Sequence, residues 1–292
     1  MRFRSLILSA PLAMLALALA LFISAPLAAD TPVLPLSFTS MGKGPTIVLV
    51  PGLGSQRMQW MPTARLLITS YHLVLVDLPG HGDSPMPDPF SFDAAAAQLD
   101  RVLALQNPDS TIVVAHGVGG LIAVLEARAH PERMRGLVVI DASMRSPIPI
   151  SDQQKPAFFK FVDENYDTFL KTVFKSMGRD SAQGVEIYSK AALVRSENVK
   201  TFVRLLLDVD ASGAARALKV PTLYVGSSRA WPDSTSWAEV AKTRGWDGAT
   251  QVQTTRIANS GYLMMVDQPD SLAATIKGFA QDAFSRQKIA KN

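Results

Sequence analysis

Between residues 46 and 143 the chain repeats one pattern. Short runs of branched apolar residues end at glycine or a small polar turn: "TIVLVPG" (46–52), "HLVLVDLPGHG" (72–82), "TIVVAHGVGG" (111–120) and "GLVVIDAS" (136–143). Continuous apolar runs of this length predict strands buried on both faces, which is the signature of a parallel sheet. The intervening segments have helical character. "RMQWMPTARLLI" places Pro62 in or before its first turn, where a proline is tolerated. "SFDAAAAQLDRVLAL" (91–105) is rich in alanine and offers Ser91 or Asp93 as a cap, and a further helix is predicted from Val118 to His130. Strands alternating with helices predict an α/β fold, a mostly parallel sheet with helices on both faces.

The alternation stops near Pro147. Residues 148–217 contain no convincing strand but several helical stretches, among them "PAFFKFVDENYDTFLKTVF" and "NVKTFVRLLLDV". It resumes with "PTLYVGS" (221–227), a helix near 236–243, a strand at 250–257 and the terminal helical segment "SLAATIKGFAQDAFSRQ". The expected organisation is therefore one sheet in two parts, 30–147 and 218–292, separated by a helical lid insertion, 148–217. Residues 1–29 have a basic start, an apolar run and small residues before Asp30, the order of a cleavable secretory signal. Cleavage would make the protein periplasmic or secreted; the alternative is an inner-membrane anchor formed by residues 5–24.

Loss of that segment removes Arg2 and Arg4 and no acid, so the net charge falls from +4 to +2. So small an excess, without a basic run, gives no case for nucleic acid. Cysteine is absent, which excludes thiolate catalysis and thiolate-bound metals. With only four histidines beside that, neither a metal site nor a cofactor is expected.

Five motifs, in order, resemble the α/β-hydrolase superfamily: "PGLGS" (51–55), "DLPGHGDSP" (77–85), "AHGVGG" (115–120), "HPERMRGLVVID" (130–141) and "SGYLMMVDQPDSLAATIKGF" (260–279). The resemblance covers about Val33 to Phe284 and implies an α/β-hydrolase fold. It implies a catalytic serine at the centre of a G-x-S-x-G turn, an acid after a later strand, and a histidine near the C-terminus. Gly117 holds the serine's place, Tyr262 the histidine's and, in the family's W-G-x-x-D register, Arg229 the acid's, with Asp233 four residues further on. The triad is thus degenerate at all three positions.

The histidine deficit stands without the resemblance, since His72, His81, His116 and His130 are the only histidines and none lies beyond residue 130. A tyrosine, with an ordinary pKa near 10, is a poor base at neutral pH. An arginine at the acid position would repel the imidazolium that the acid exists to stabilise. By the resemblance, the N–H groups of Leu53 and Val118 form an oxyanion-hole-like pocket that also includes Ser55, His116 and Tyr262.

Other residues give weak substitutes. Ser55 lacks an adjacent base. His116 and His81 are expected to be structural, and an Asp77–His81 or Asp83–His81 pair has no recognised mechanism. Asp77 and Asp141 end strands and are expected to hold turns. Phe158, Phe161 and Phe169 have helical spacing, which favours packing of the insertion over ligand contact; Met264, Met265 and Trp60 carry the same ambiguity. The reading is a non-catalytic hydrolase-like protein that keeps a pocket for a small apolar or carbonyl-bearing ligand or a protein partner. Its rival is an enzyme, hydrolase or lyase, acting through non-standard groups around the oxyanion hole.

Overall fold

A computed structural model gives the architecture. It describes residues 34–148 and 150–290, with side chains as far as Ser285. The expected signal segment lies outside the described residues. Among the described residues no helix is long and apolar enough to cross a membrane.

Seven strands form one sheet: β1 (Phe38–Met41), β2 (Thr46–Val50), β3 (His72–Val76), β4 (Thr111–His116), β5 (Gly136–Ile140), β6 (Thr222–Ser227) and β7 (Val252–Ile257). Their order is β1-β3-β2-β4-β5-β6-β7, and only β1 runs antiparallel to its neighbour. Every residue of β2, β4, β5 and β6 is buried, as the unbroken apolar runs predict for central parallel strands. Ser91 caps the helix Phe92–Leu103 by accepting the Ala94 N–H, which selects Ser91 over Asp93 as the cap.

In the first half of the sheet the helices are α1 (Met61–Leu67), α2 (Phe92–Leu103) and α3 (Val118–Ala129). Between β5 and β6 the chain is helical: α4 (Lys155–Glu164), α5 (Tyr166–Lys175), α6 (Ser181–Ala191), α7 (Ser196–Leu206) and the short α8 (Ser212–Arg216). A single antiparallel bridge, Arg145 to Asp210, joins the two ends of that stretch. The fold closes with α9 (Trp237–Arg244), α10 (Met264–Asp267) and α11 (Pro269–Ala290). Trp60, Met264 and Met265 are buried in the core, so the packing reading holds for these three.

The turn after β3 shows how the loops at this edge are fixed. Asp77 accepts the Arg57 N–H at 2.7 Å and the Arg57 Nη1 at 2.6 Å, and Arg57 Nη2 reaches Asp83 at 2.7 Å. Both aspartates are thereby engaged by Arg57 and not by His81. Removing one partner of a mostly buried pair leaves the other charge uncompensated. Asp77→Ala is therefore expected to lower unfolding stability by about 2–4 kcal/mol in urea titration; a loss below about 0.5 kcal/mol, the range of an ordinary surface substitution, would contradict this role.

Candidate functional site

The loops that follow the C-terminal ends of β2, β4, β5, β6 and β7 converge on one cavity of about 620 Å³. This is the edge at which open parallel sheets bind ligands. Gly117, between β4 and α3, adopts φ 54° and ψ −121°. Few side-chain-bearing residues tolerate a positive φ with that ψ, and glycine does so without a Cβ penalty. The sharp strand–helix turn is therefore retained, although no side chain projects from it.

Tyr262 fills the vacated space. A β-carbon at Gly117 would stand 3.3 Å from the Tyr262 hydroxyl, and one at Gly52 would stand 2.6 Å from that oxygen and 2.7 Å from His116 Nδ1. The phenol thus occupies a slot between two glycines, one on the loop after β2 and one at the turn after β4. Its loop is held by Asp267, which accepts the Gly261 N–H at 2.7 Å. Burial, with a smaller contribution from the Asp141 charge, raises the Tyr262 pKa above its ordinary value, so the phenol stays protonated at neutral pH.

Leu53, Gly117, Val118, Arg229 and Tyr262 all line the cavity. Ser55 and His116, expected on the same wall, do not. Ser55 is turned into the loop, its N–H donating to Gly52 O at 3.1 Å, and is buried. His116 is fully buried behind the turn, its ring centroid 4.4 Å from that of Tyr262 in an edge-on contact. A strand residue preceding the turn points to the opposite face from the cavity, which is the physical reason for the correction. His81 is structural: Nε2 accepts the Gly54 N–H at 3.1 Å, which leaves Nδ1 to donate to Pro79 O at 2.9 Å.

Two expectations about the lining are corrected. Phe158, Phe161 and Phe169 face the cavity, because α4 and α5 lie across its mouth and turn their apolar sides toward it. Asp141 also lines it, besides holding a turn. Asp141 has φ 51°, and its Oδ1 accepts the Ser227 N–H at 2.8 Å, clamping the ends of β5 and β6. Burial pushes its carboxyl up to about 6, against the opposing pull of the Ser227 hydrogen bonds and of Arg244 and Arg229. Asp233, the alternative acid, pairs with Arg256 instead. Arg244 is a cavity residue that no motif marked, because it arrives from the end of α9.

Away from this cavity, Asp100, Glu126 and His130 bring one ligand-type atom each to within 4.8 Å of one another. Asp100 is already paired with Arg133 at 2.6 Å, and burial pushes Glu126 up to about 8.

Neither ring nitrogen of His116 has a hydrogen-bond partner of good geometry among the described residues, the Tyr262 main chain making only a looser polar approach. Burial pushes the imidazole down to about 4, only partly offset by the Tyr262 main chain. The folded state therefore refuses a proton that the unfolded chain accepts near pH 6.5, and the stability from this site is lost as pH falls from about 6.5 toward 4. Its imidazole resonances should keep the neutral-form shift down to about pH 5; a titration midpoint near 6.5 would contradict the burial of an uncharged ring.

The comparisons with known proteins agree with this geometry. Residues 47–275 match the model of the Alpha/beta hydrolase family. The pimeloyl-[acyl-carrier protein] methyl ester esterase of Nitrosospira multiformis is 24% identical over 263 residues, covering 83% of this chain and 97% of the relative. The same-named enzyme of Chromobacterium violaceum is 30% identical over 206 residues, covering 64% of this chain and 77% of its own. Among solved structures, a hydrolase from Oleispira antarctica superposes with a TM-score of 0.73 over 85% of this chain and 96% of that one. At 16% identity that likeness is one of fold. With the sheet order, the turn at Gly117 and a family match across most of its length, the chain belongs to the alpha/beta hydrolase family.

Proposed function

We propose that this protein is an exported pseudohydrolase that binds a small apolar or carbonyl-bearing ligand in the cavity above Gly117. One observation carries the reading: the Tyr262 hydroxyl stands 3.3 Å from where a Gly117 β-carbon would be. The space in which a serine and its base would exchange a proton is taken by a phenol that stays protonated. Acyl transfer needs a nucleophile with a base within hydrogen-bond reach, and the cavity wall supplies neither serine nor imidazole at that point. What it does supply is a mostly apolar concave volume, partly open to solvent, the usual character of a ligand site. α4 and α5 act as its lid, and residues 1–29 direct the chain out of the cytoplasm. Protein partners are a second class of occupant for the same recognition surface.

A rival reading is an active hydrolase or lyase. Asp141 favours it, being a carboxylate on the cavity wall beside Tyr262 and Gly117, and the relatives named above are esterases. Without a positioned imidazole, Asp141 would have to act alone as base or nucleophile while held by Ser227.

The test is ligand binding in the exported protein, recovered from the periplasmic fraction with Asp30 as its first residue. Apolar ligands bearing a carbonyl or carboxylate should raise Tm by mass action. Leu206→Trp, on the wall contributed by α7, should abolish the shift while leaving the circular dichroism spectrum of the folded protein. A broad ligand series with no shift in the wild-type protein would overturn the ligand-binding reading.

A further inference from the structure

The polar groups on the cavity wall are uneven in charge. Arg229 and Arg244 both line it, and Asp141 is the single acid that does so. Among the described residues neither arginine has a carboxylate within 4.0 Å, the limit that defines an ion pair in this structure. Arg229 donates from Nη1 to Ser176 O at 2.7 Å, and Arg244 donates from Nη1 to Asp141 O at 3.1 Å. Each bond is to a neutral carbonyl and uses one N–H of a guanidinium that carries five. Asp141 cannot neutralise both cations, and one of its oxygens is already bonded to the Ser227 N–H.

The remainder of the wall is of opposite character. Phe158, Phe161, Phe169, Val173, Val203 and Leu206 present hydrocarbon. A volume of about 620 Å³ falls within the range of sites that enclose a whole small molecule. A ligand that satisfies both ends is amphipathic, with an anion at one end and an aliphatic chain at the other. Guanidinium groups match a carboxylate in shape and charge; Arg244 is half-buried and Arg229 exposed, so the match rests on shape and charge and on little desolvation.

We propose that the cavity binds an aliphatic carboxylate, its head held by Arg229 and Arg244 and its chain lying against the phenylalanines of α4 and α5. This rests on the ligand-binding reading above and narrows it. It also gives a purpose to an arginine at the position of the family's acid. The substitution that removes the imidazolium's partner installs a receptor for the product-like anion. Tyr262, which lines the same cavity, keeps its hydroxyl in the slot between Gly52 and Gly117.

The experiment compares dodecanoate with dodecan-1-ol by isothermal titration at about pH 8, where both dodecanoate and Asp141 are ionised. The wild-type protein should bind dodecanoate at least about tenfold more tightly, as a charge-assisted head-group contact implies. Arg229→Gln with Arg244→Gln should erase that preference and leave dodecan-1-ol affinity within about threefold, which also shows that the cavity is intact. Arg229→Lys should keep part of it, because a point charge remains. Equal binding of alcohol and carboxylate to the wild type overturns the proposal but not the ligand pocket. A preference that survives the double substitution overturns it as well. Failure of both probes to bind overturns the proposal together with the reading on which it rests.

Discussion

The contact between Tyr262 and the two glycines that flank it decides what the rest of the site can do. Gly52 lies on the loop after β2 and Gly117 at the turn after β4, and a β-carbon at either would crowd the phenol oxygen. The three positions therefore form one steric unit. A side chain at Gly117 would have to displace the tyrosine and accept a backbone conformation that only glycine adopts without strain. His116, packed edge-on against the phenol and without a hydrogen bond of good geometry, completes the unit from behind and is held uncharged by its burial.

Around this unit the fold keeps what a ligand needs. The parallel strands deliver Leu53, Gly117, Asp141, Arg229 and Tyr262 to a single edge, each from the loop after a different strand. The helices between β5 and β6 add an apolar cover, and Arg229 ties to it through the Ser176 carbonyl. Hydrocarbon from α4 and α5 and the guanidinium groups of Arg229 and Arg244 share the lining of this cavity. On the proposed reading, differences in affinity between ligands of similar size would arise from the head group, because the chain contributes by area buried and little else.

Much of this was legible in the sequence because it depends on local pattern. Unbroken branched apolar runs gave the central strands, and glycine after each run gave the turns. The resemblance to the α/β-hydrolase superfamily then placed Gly117, Arg229 and Tyr262 on one edge of the sheet. The face of each residue was harder to read. Ser55 and His116 sit beside the expected pocket but point away from it, since alternation along a strand and the curl of a short loop decide direction. Phe158, Phe161 and Phe169 have the spacing of core residues, and helical spacing does not distinguish a face packed on protein from one packed on a cavity. Arg244 carried no signal as a site residue, and Asp141 was expected only to hold a turn. One comes from the end of a helix with no motif, and the other takes a positive φ that nothing in "VVIDAS" announces.

The central claim, that the slot at the turn holds a phenol in place of a reactive pair, has a direct measurement. The purified protein is incubated with a serine-directed fluorophosphonate and, separately, with an activated short-chain ester, and its intact mass is recorded through the first turnover. Oxyanion donors alone can leave a residual acceleration of about 10³–10⁴ over water when a triad is removed, so slow ester loss does not distinguish the cases, whereas a covalent adduct does. The predicted result is an unchanged mass under both treatments. A stoichiometric phosphonyl or acyl adduct on any residue of the cavity would contradict it and make the protein an active acyl-transfer enzyme.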